Sequence, residues 1–319
     1  MAMERLQEAE RHLAEASQLL GESRLLFEQE KQNLAETLGV RPEIVTLTAE
    51  QITAAHPRAK VTEIFVLPTA EQLIAKETQA WRDFFGEEKE VIEPPKELFD
   101  KLAIIKELGW TNNIVPVSFV DHEFIDGEEL PGWQTKPHPR FWQIIKEGHL
   151  KKDAARMKKG WALLDITPKP DYKNGLQLYP NEPFGDILKG LREQGKIKVP
   201  KGYEHVPQIS RFALKPATEI ERQFMLEFAR TLKVDKRNAV NCPYLLVNII
   251  GNRSYPELGE GTTWEWYGDK VSGFVGGDGR LIGGDSVDGG LTCIYCSWSG
   301  GRVGSAGFRP LAILSSSKT

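Results

Sequence analysis

Val303-Gly304-Ser305-Ala306-Gly307-Phe308-Arg309-Pro310-Leu311-Ala312-Ile313-Leu314 lies near the C-terminal end of this 319-residue chain, and its two halves differ in kind. From Gly307 onward the composition is that of a core: an aromatic, a residue of fixed φ, then an apolar strand-like run. Upstream, Ser297 to Ser305 is a run of small and polar residues around Trp298. Such a run cannot stabilise itself, so a rigid frame must hold it. Between Gly273 and Gly307 there are twelve of the chain's 29 glycines, which no helix tolerates. The segment is expected to be loops and short strands held by Trp264, Trp266, Phe274 and Trp298.

Working toward the N-terminus, Tyr244 to Ile250 is apolar and β-branched and predicts the strongest strand of the chain. Thr218 with Glu221 three residues later has the pattern of a capping box, opening a helix with Ile220, Phe224, Phe228 and Leu232 on one face. Helices are also expected over 96–108, 141–147 and 183–194. Strands are expected at Ile114–Val120, Trp161–Asp165 and, shorter, Ile197–Val199. Thr69 opens a helix to about Phe85, after a short strand Ile64–Leu67 stopped by Pro68. The charge-rich run from Gly86 to Glu93, closed by Pro94-Pro95, has linker character and sets a domain boundary near residue 95. Residues 1 to about 40 repeat Leu6, Leu13, Leu20, Phe27 and Leu34 at intervals of seven, a coiled-coil seam whose second column fails at Ser23 and Glu30. That helix either joins copies of the chain as a homo-oligomer or packs on its own domain or a larger particle.

The ending Val303-x-x-x-Gly307-Phe308-Arg309-Pro310-Leu311 resembles the variable proteins of diversity-generating retroelements, found in phages, bacteria and archaea. The upstream string Gly251-Asn252-Arg253-Ser254, Trp264-Glu265-Trp266, Arg280 to Ser286, Gly289-Gly290-Leu291 and Trp298 is similar to the same family. The resemblance covers roughly residues 240–314. It implies an α+β chain: a helical N-terminal module over 1–95, then a C-type-lectin domain of the formylglycine-generating-enzyme type over 96–319. The variable region would span about 285–305. A separately encoded reverse transcriptase rewrites variable codons in this family from an adenine-mutagenised template.

The resemblance further implies solvent-facing, ligand-binding positions at Thr292, Cys293, Tyr295, Cys296, Ser297, Ser299, Gly300, Arg302, Gly304 and Ser305. Tyr295 and Arg302 would dominate, one by amphipathic area and the other by its planar fork. Trp264, Trp266, Trp298, Gly307, Phe308, Arg309 and Pro310 would be fixed scaffold. Asn codons mutated at adenine cannot reach Trp, Met, Lys, Glu or Gln, and Trp298 is the one such residue from Asp285 to Ser305. Lys, Glu, Gln and Met are absent from 271–317 as a whole, however, so composition alone does not establish diversification. The implied partner is a variable protein or surface receptor, and the implied protein is a binder rather than an enzyme.

Other constellations are weaker. Cys293-Ile294-Tyr295-Cys296 is a lone C-x-x-C with only Cys242 left over, short of a structural zinc site, and no helix follows it as a redox motif needs. An oxidase of the formylglycine-generating type, or another Cys-dependent oxidase, stays open as a rival, as does a structural phage or particle protein. Asp278, Asp285 and Asp288 among glycines are either calcium ligands or turn formers, and no other cofactor is implied. The six histidines lack H-E-x-x-H spacing, and no phosphate-cradling motif is present. The basic residues from Lys146 to Lys159 form a solvated face or, less simply, a nucleic-acid contact. A net charge of -4 gives no nucleic-acid footprint to the chain as a whole. No apolar run approaches a membrane span, and the N-terminus lacks a secretory pattern. The expected location is therefore cytoplasmic or virion-associated.

Overall fold

The computed structural model describes residues 67–199, 201–274 and 277–314. The heptad helix and most of the strand expected at Ile64–Leu67 lie outside these residues. In chain order the helices are α1 (Ala70–Phe85), α2 (Lys96–Glu107), α3 (Pro139–Lys146), α4 (Gly185–Glu193), a π-helical stretch Pro216–Phe224 running into α5 (Met225–Leu232), and α6 (Tyr244–Arg253). The strands are β1 (Ile114–Phe119), β2 (His122–Glu123), β3 (Arg156–Met157), β4 (Gly160–Asp165), β5 (Ala239–Asn241), β6 (Trp264–Phe274), β7 (Gly277–Gly283), β8 (Ile294–Trp298), β9 (Ala306–Phe308) and β10 (Pro310–Leu314). The architecture is α+β.

One sheet has the order β1-β4-β10-β5, all antiparallel, and a second has the order β8-β7-β6-β9, with β6 and β9 parallel. Side chains alternate across the first sheet into two cores. Trp161, Leu163, Ala312 and Leu314 enter one core, while Ala162, Leu164 and Leu311 enter the other. A strand buried on both faces has no polar alternation, which is why Trp161–Asp165 is uniformly apolar until its last residue.

The two sheets are joined by a single residue. Phe308 ends β9, Pro310 begins β10, and Arg309 lies between them. Its guanidinium is buried and donates to Glu265 Oε1 (2.8 Å) and to the carbonyls of Asp165 (2.7 Å) and Thr167 (3.0 Å). Asn241 accepts from the Arg309 backbone N–H at 3.2 Å and donates to the Trp266 carbonyl at 2.6 Å. Beside it Arg211 is equally buried, binding Asp165, both oxygens of Glu182 and the Phe308 carbonyl (3.1 Å). Its guanidinium lies 3.8 Å from the Tyr179 ring centre, and the Tyr179 hydroxyl donates to Glu265. Burial opposes charge on both arginines, but the carboxylates outweigh it and hold both above their ordinary value. Gly307 is dictated by this cluster, since a Cβ there would lie 2.8 Å from the Tyr179 hydroxyl.

Three sequence expectations are corrected. Tyr244–Ile250 is not a strand but most of α6, whose residues are almost all buried. An apolar run buried all round has no period that separates helix from strand. Pro243 precedes the first turn, and the carboxylate of Asp269 accepts from the Tyr244 N–H at 2.6 Å, capping the helix from across the fold. Asp269 is aimed there by an irregularity in β6 between Trp266 and Lys270. The Thr218 box does not form: the cap position is Lys215, three residues earlier, and Glu219 accepts the Lys215 N–H instead. The expected apolar face of Ile220, Phe224, Phe228 and Leu232 is nonetheless buried. Ile197–Val199 forms no strand.

The expected boundary near residue 95 is also displaced. Thr69 does form a capping box with Gln72 at the start of α1, but α1 belongs to the same body as the sheets. Glu77 accepts from Ser118 N (2.7 Å) and Arg253 (2.8 Å), Trp81 donates to Ser118 Oγ (3.0 Å), and all are buried or nearly so. The chain divides into Met1–Phe65 and Val66–Thr319.

Two consequences are measurable. Arg309→Leu strands the buried Glu265 without its ion-pair partner, and a chemical denaturation curve should show a loss of about 3–5 kcal/mol. Burial raises Asp269 to about 6, above its unfolded value of 3.8. The folded state therefore binds more protons across that window, and stability falls as pH rises through it. Asp269→Asn keeps an acceptor for the helix and should remove that part of the pH dependence. The wild type should lose up to about 3 kcal/mol relative to the variant between pH 4 and 7.

Candidate functional site

β8 is an edge strand, bonded to β7 alone. Its register pairs Ile282 with Tyr295 and Arg280 with Ser297. Tyr295 continues the row that runs from Phe308 through Trp266 and Ile282, but at the sheet margin it is 51% exposed. Its ring lies 5.0 Å from that of Trp264. Trp298, three residues on, is 49% exposed and covers Gly300, where an added Cβ would lie 2.4 Å from the indole. Val287 is exposed on the turn before β8. Large apolar groups are thus presented to solvent within a segment whose two ends are anchored in the core.

The expected solvent-facing set does not share one environment. Tyr295 is exposed, and Thr292, Cys296, Ser297, Gly300, Gly304 and Ser305 are half-buried. Thr292 donates to the Lys136 carbonyl at 2.7 Å. Cys293 is buried, contrary to expectation, because its backbone turns inward to bond Gly284. Ser299 is buried too, with its hydroxyl and N–H both on the Asp278 carbonyl. Arg302 is not a free binding fork: Glu219 takes both of its terminal nitrogens, and the Ala213 carbonyl accepts at 2.7 Å. Its side chain is 10% exposed. Among the expected scaffold residues, Trp266, Phe308 and Arg309 are fully buried, Gly307 and Pro310 are buried, and Trp264 is half-buried. Trp298 departs from that group and belongs to the surface.

A cleft of about 530 Å³ runs beside β8, with His138, Pro139, Arg140 and Gln143 on one wall and Cys293 to Cys296 on the other. Both cysteines of the C-x-x-C therefore line one cavity. Burial pushes each thiol up, so the protonated, weakly nucleophilic form is favoured. Both are free, as is Cys242. The three aspartates do not converge: among the described residues no three His, Cys, Asp or Glu side chains are placed to share a metal. Asp285 instead accepts the Val287 N–H (2.9 Å) in a turn. No described helix is long and apolar enough to cross a membrane. The basic residues from Lys146 to Lys159 do not share a helix face, because α3 ends at Lys146 and a 3-10 turn occupies Lys152–Ala155.

Sequence reasoning missed the partners that hold the frame. Glu219 and Glu182 sit in ordinary polar contexts, and only a third-dimensional neighbour marks them as counter-ions. The Asn248/Asn252 spacing of four was the one local signal of helix in α6. Asn248 donates to the Leu291 carbonyl at 2.9 Å and so ties α6 to the segment entering β8, while Asn252 accepts from Gln134 N and Thr135 N and ties α6 to the loop before α3.

These placements predict unequal costs. Arg302→Ser leaves the largely buried Glu219 without its counter-ion, held only by the Lys198 and Lys215 N–H groups, and should cost about 2–3 kcal/mol in a thermal or denaturant melt. Tyr295→Ser should cost under about 1 kcal/mol. No family model, no curated protein and no solved structure matches this chain.

Proposed function

We propose that the chain is a ligand-binding protein of the diversity-generating retroelement class, presenting a diversified surface on a fixed C-type-lectin scaffold. The observation that carries this reading is the contrast within the fifteen residues from Tyr295 to Arg309. Tyr295 and Trp298 stand half in solvent, while Phe308 and Arg309 are locked in the core. Two large aromatics stand half exposed on the two faces of one edge strand, where a partner covering that edge would meet both. Binding energy would come from a few such anchors rather than from total area.

The corrected geometry narrows the exchangeable positions. Tyr295, Ser297 and Gly300 are the strongest candidates, flanked by Thr292, Cys296, Gly304 and Ser305. Arg302, Ser299 and Cys293 carry structural contacts. Trp298, which mutated Asn codons cannot encode, would be a constant anchor within a varying surface. The partner would be a protein whose own surface changes, such as a receptor on a host or a competitor.

The shared cleft of Cys293 and Cys296 favours one second reading, a thiol-dependent oxidase. Against it stand the raised thiols and the burial of Cys293.

Two measurements decide. A near-copy of the coding 3′ end beside a reverse transcriptase gene, differing mainly at adenines, is expected; its absence from the locus would sink the diversification reading. Purified protein should consume no oxygen with thiol peptides, and Cys293→Ser with Cys296→Ser should leave this unchanged. Turnover lost in those variants would establish the oxidase instead.

A further inference from the structure

The open edge of β8 is built to take a strand. Outside the regular ladder, Gly284 N bonds Cys293 O, and Ser299 N bonds Asp278 O. Antiparallel pairs alternate between bonded and non-bonded positions. Tyr295 and Ser297, lying between those two bonded ends, therefore turn their backbone groups toward β7. Ile294, Cys296 and Trp298 turn theirs outward. Of these, the Trp298 carbonyl accepts from Gly301 N at 3.1 Å. The N–H and C=O of Ile294 and Cys296 and the N–H of Trp298 have no hydrogen-bond partner among the described residues.

Sheet edges of this kind are usually blunted by Lys, Pro or a covering loop. From Ile294 to Trp298 there is neither Lys nor Pro. The edge instead adjoins the cleft whose far wall is the start of α3, and the Thr292–Lys136 hydrogen bond ties the two walls together at one end. The cleft carries both Arg140 and Asp288, so it has no single sign to select a polyanion. Polar backbone at regular two-residue spacing, beside a slot with mixed charge, matches an extended polypeptide.

We infer that β8 is completed by an extended segment of a partner protein, which adds as a further strand along Ile294, Cys296 and Trp298. This rests on the reading of the β8 rim as a binding surface and names how the partner lies on it. Backbone pairing supplies affinity independent of side chains, and Tyr295 with its neighbours reads the partner's alternate residues. Such a division of labour lets the rim change its side chains without losing its means of attachment.

The test uses the full chain and a phage-displayed library of random linear peptides. Selected peptides are resynthesised with single N-methyl groups and titrated against wild type, Cys296→Pro and Tyr295→Ser, each checked for folding by its melt. Proline at 296 removes an outward N–H and leaves the β7 ladder intact. The expected result is at least a tenfold loss with Cys296→Pro and with N-methylation at alternate peptide positions only. Peptides that lose affinity on Tyr295→Ser, yet tolerate both Cys296→Pro and every N-methyl group, would overturn strand addition and leave the binding surface standing. Peptides indifferent to all of these changes, or a library yielding none, would overturn both.

Discussion

Two guanidiniums with no access to water hold this fold together. Arg309 and Arg211 stand at the junction of the sheets, and Asp165, Glu182 and Glu265 surround them. Removing charges from water is costly, and such a cluster persists only if nearly every donor finds an acceptor. Lys169 completes the set. It donates to the Leu258 carbonyl at 2.7 Å, and burial, offset in part by Glu265, pushes it down to about 8. Three cations thus face three carboxylates. The ion set adds little net stability over a well-packed apolar core, but it admits few alternative arrangements. Because Asp165 comes from β4, Glu265 from β6 and Arg309 from the turn between β9 and β10, satisfying them fixes how the two sheets meet.

That constraint separates the frame from the rim. β8 is held to β7 by backbone hydrogen bonds, which do not depend on the side chains at its exposed positions, and Ile294 packs into the core. At its C-terminal flank, however, side chains do carry load. Arg302 pins the loop after β8 to Glu219 in the π-helical stretch, and Ser299 pins it to Asp278. The loop's shape is therefore held by a few residues inside the very segment whose composition suggests freedom. A patch of exchangeable side chains needs such pins, since small and glycine-rich loops otherwise pay a large ordering cost on binding.

What the sequence disclosed follows from range. Local signals were readable: the Thr69 cap, the buried β4 run, the apolar face of Ile220 to Leu232, and the core character of Gly307 to Ala312, although Ile313, expected in the same core, is exposed. All depend on residues within one or two turns of each other. The helix at Tyr244–Arg253 was misread because its cap, Asp269, lies 25 residues away and its burial erases periodicity. The same applies to the site. Tyr295 was expected to be exposed only through the family resemblance, since its neighbours Ile294 and Cys296 do not announce it. Arg302 was not readable as buried, since nothing near it in sequence announces Glu219, 83 residues upstream. The domain boundary failed likewise: the linker-like run 86–95 looks solvated, while the Glu77–Arg253 pair that binds α1 to the body spans 176 residues.

Trp298 brings the frame and the rim together. Its codon position would make it constant, its exposure makes it available, and its indole lies on Gly300, a residue counted among the changeable ones. A side chain larger than hydrogen at 300 would have to displace that ring. Variation at 300 would then act less by contacting a partner than by setting where the tryptophan stands. The same substitution would alter the aromatic anchor without touching the ladder beneath it. A rim made of one fixed aromatic, one exchangeable aromatic at 295 and a glycine that governs the first can change its shape while every buried ion pair stays as it is.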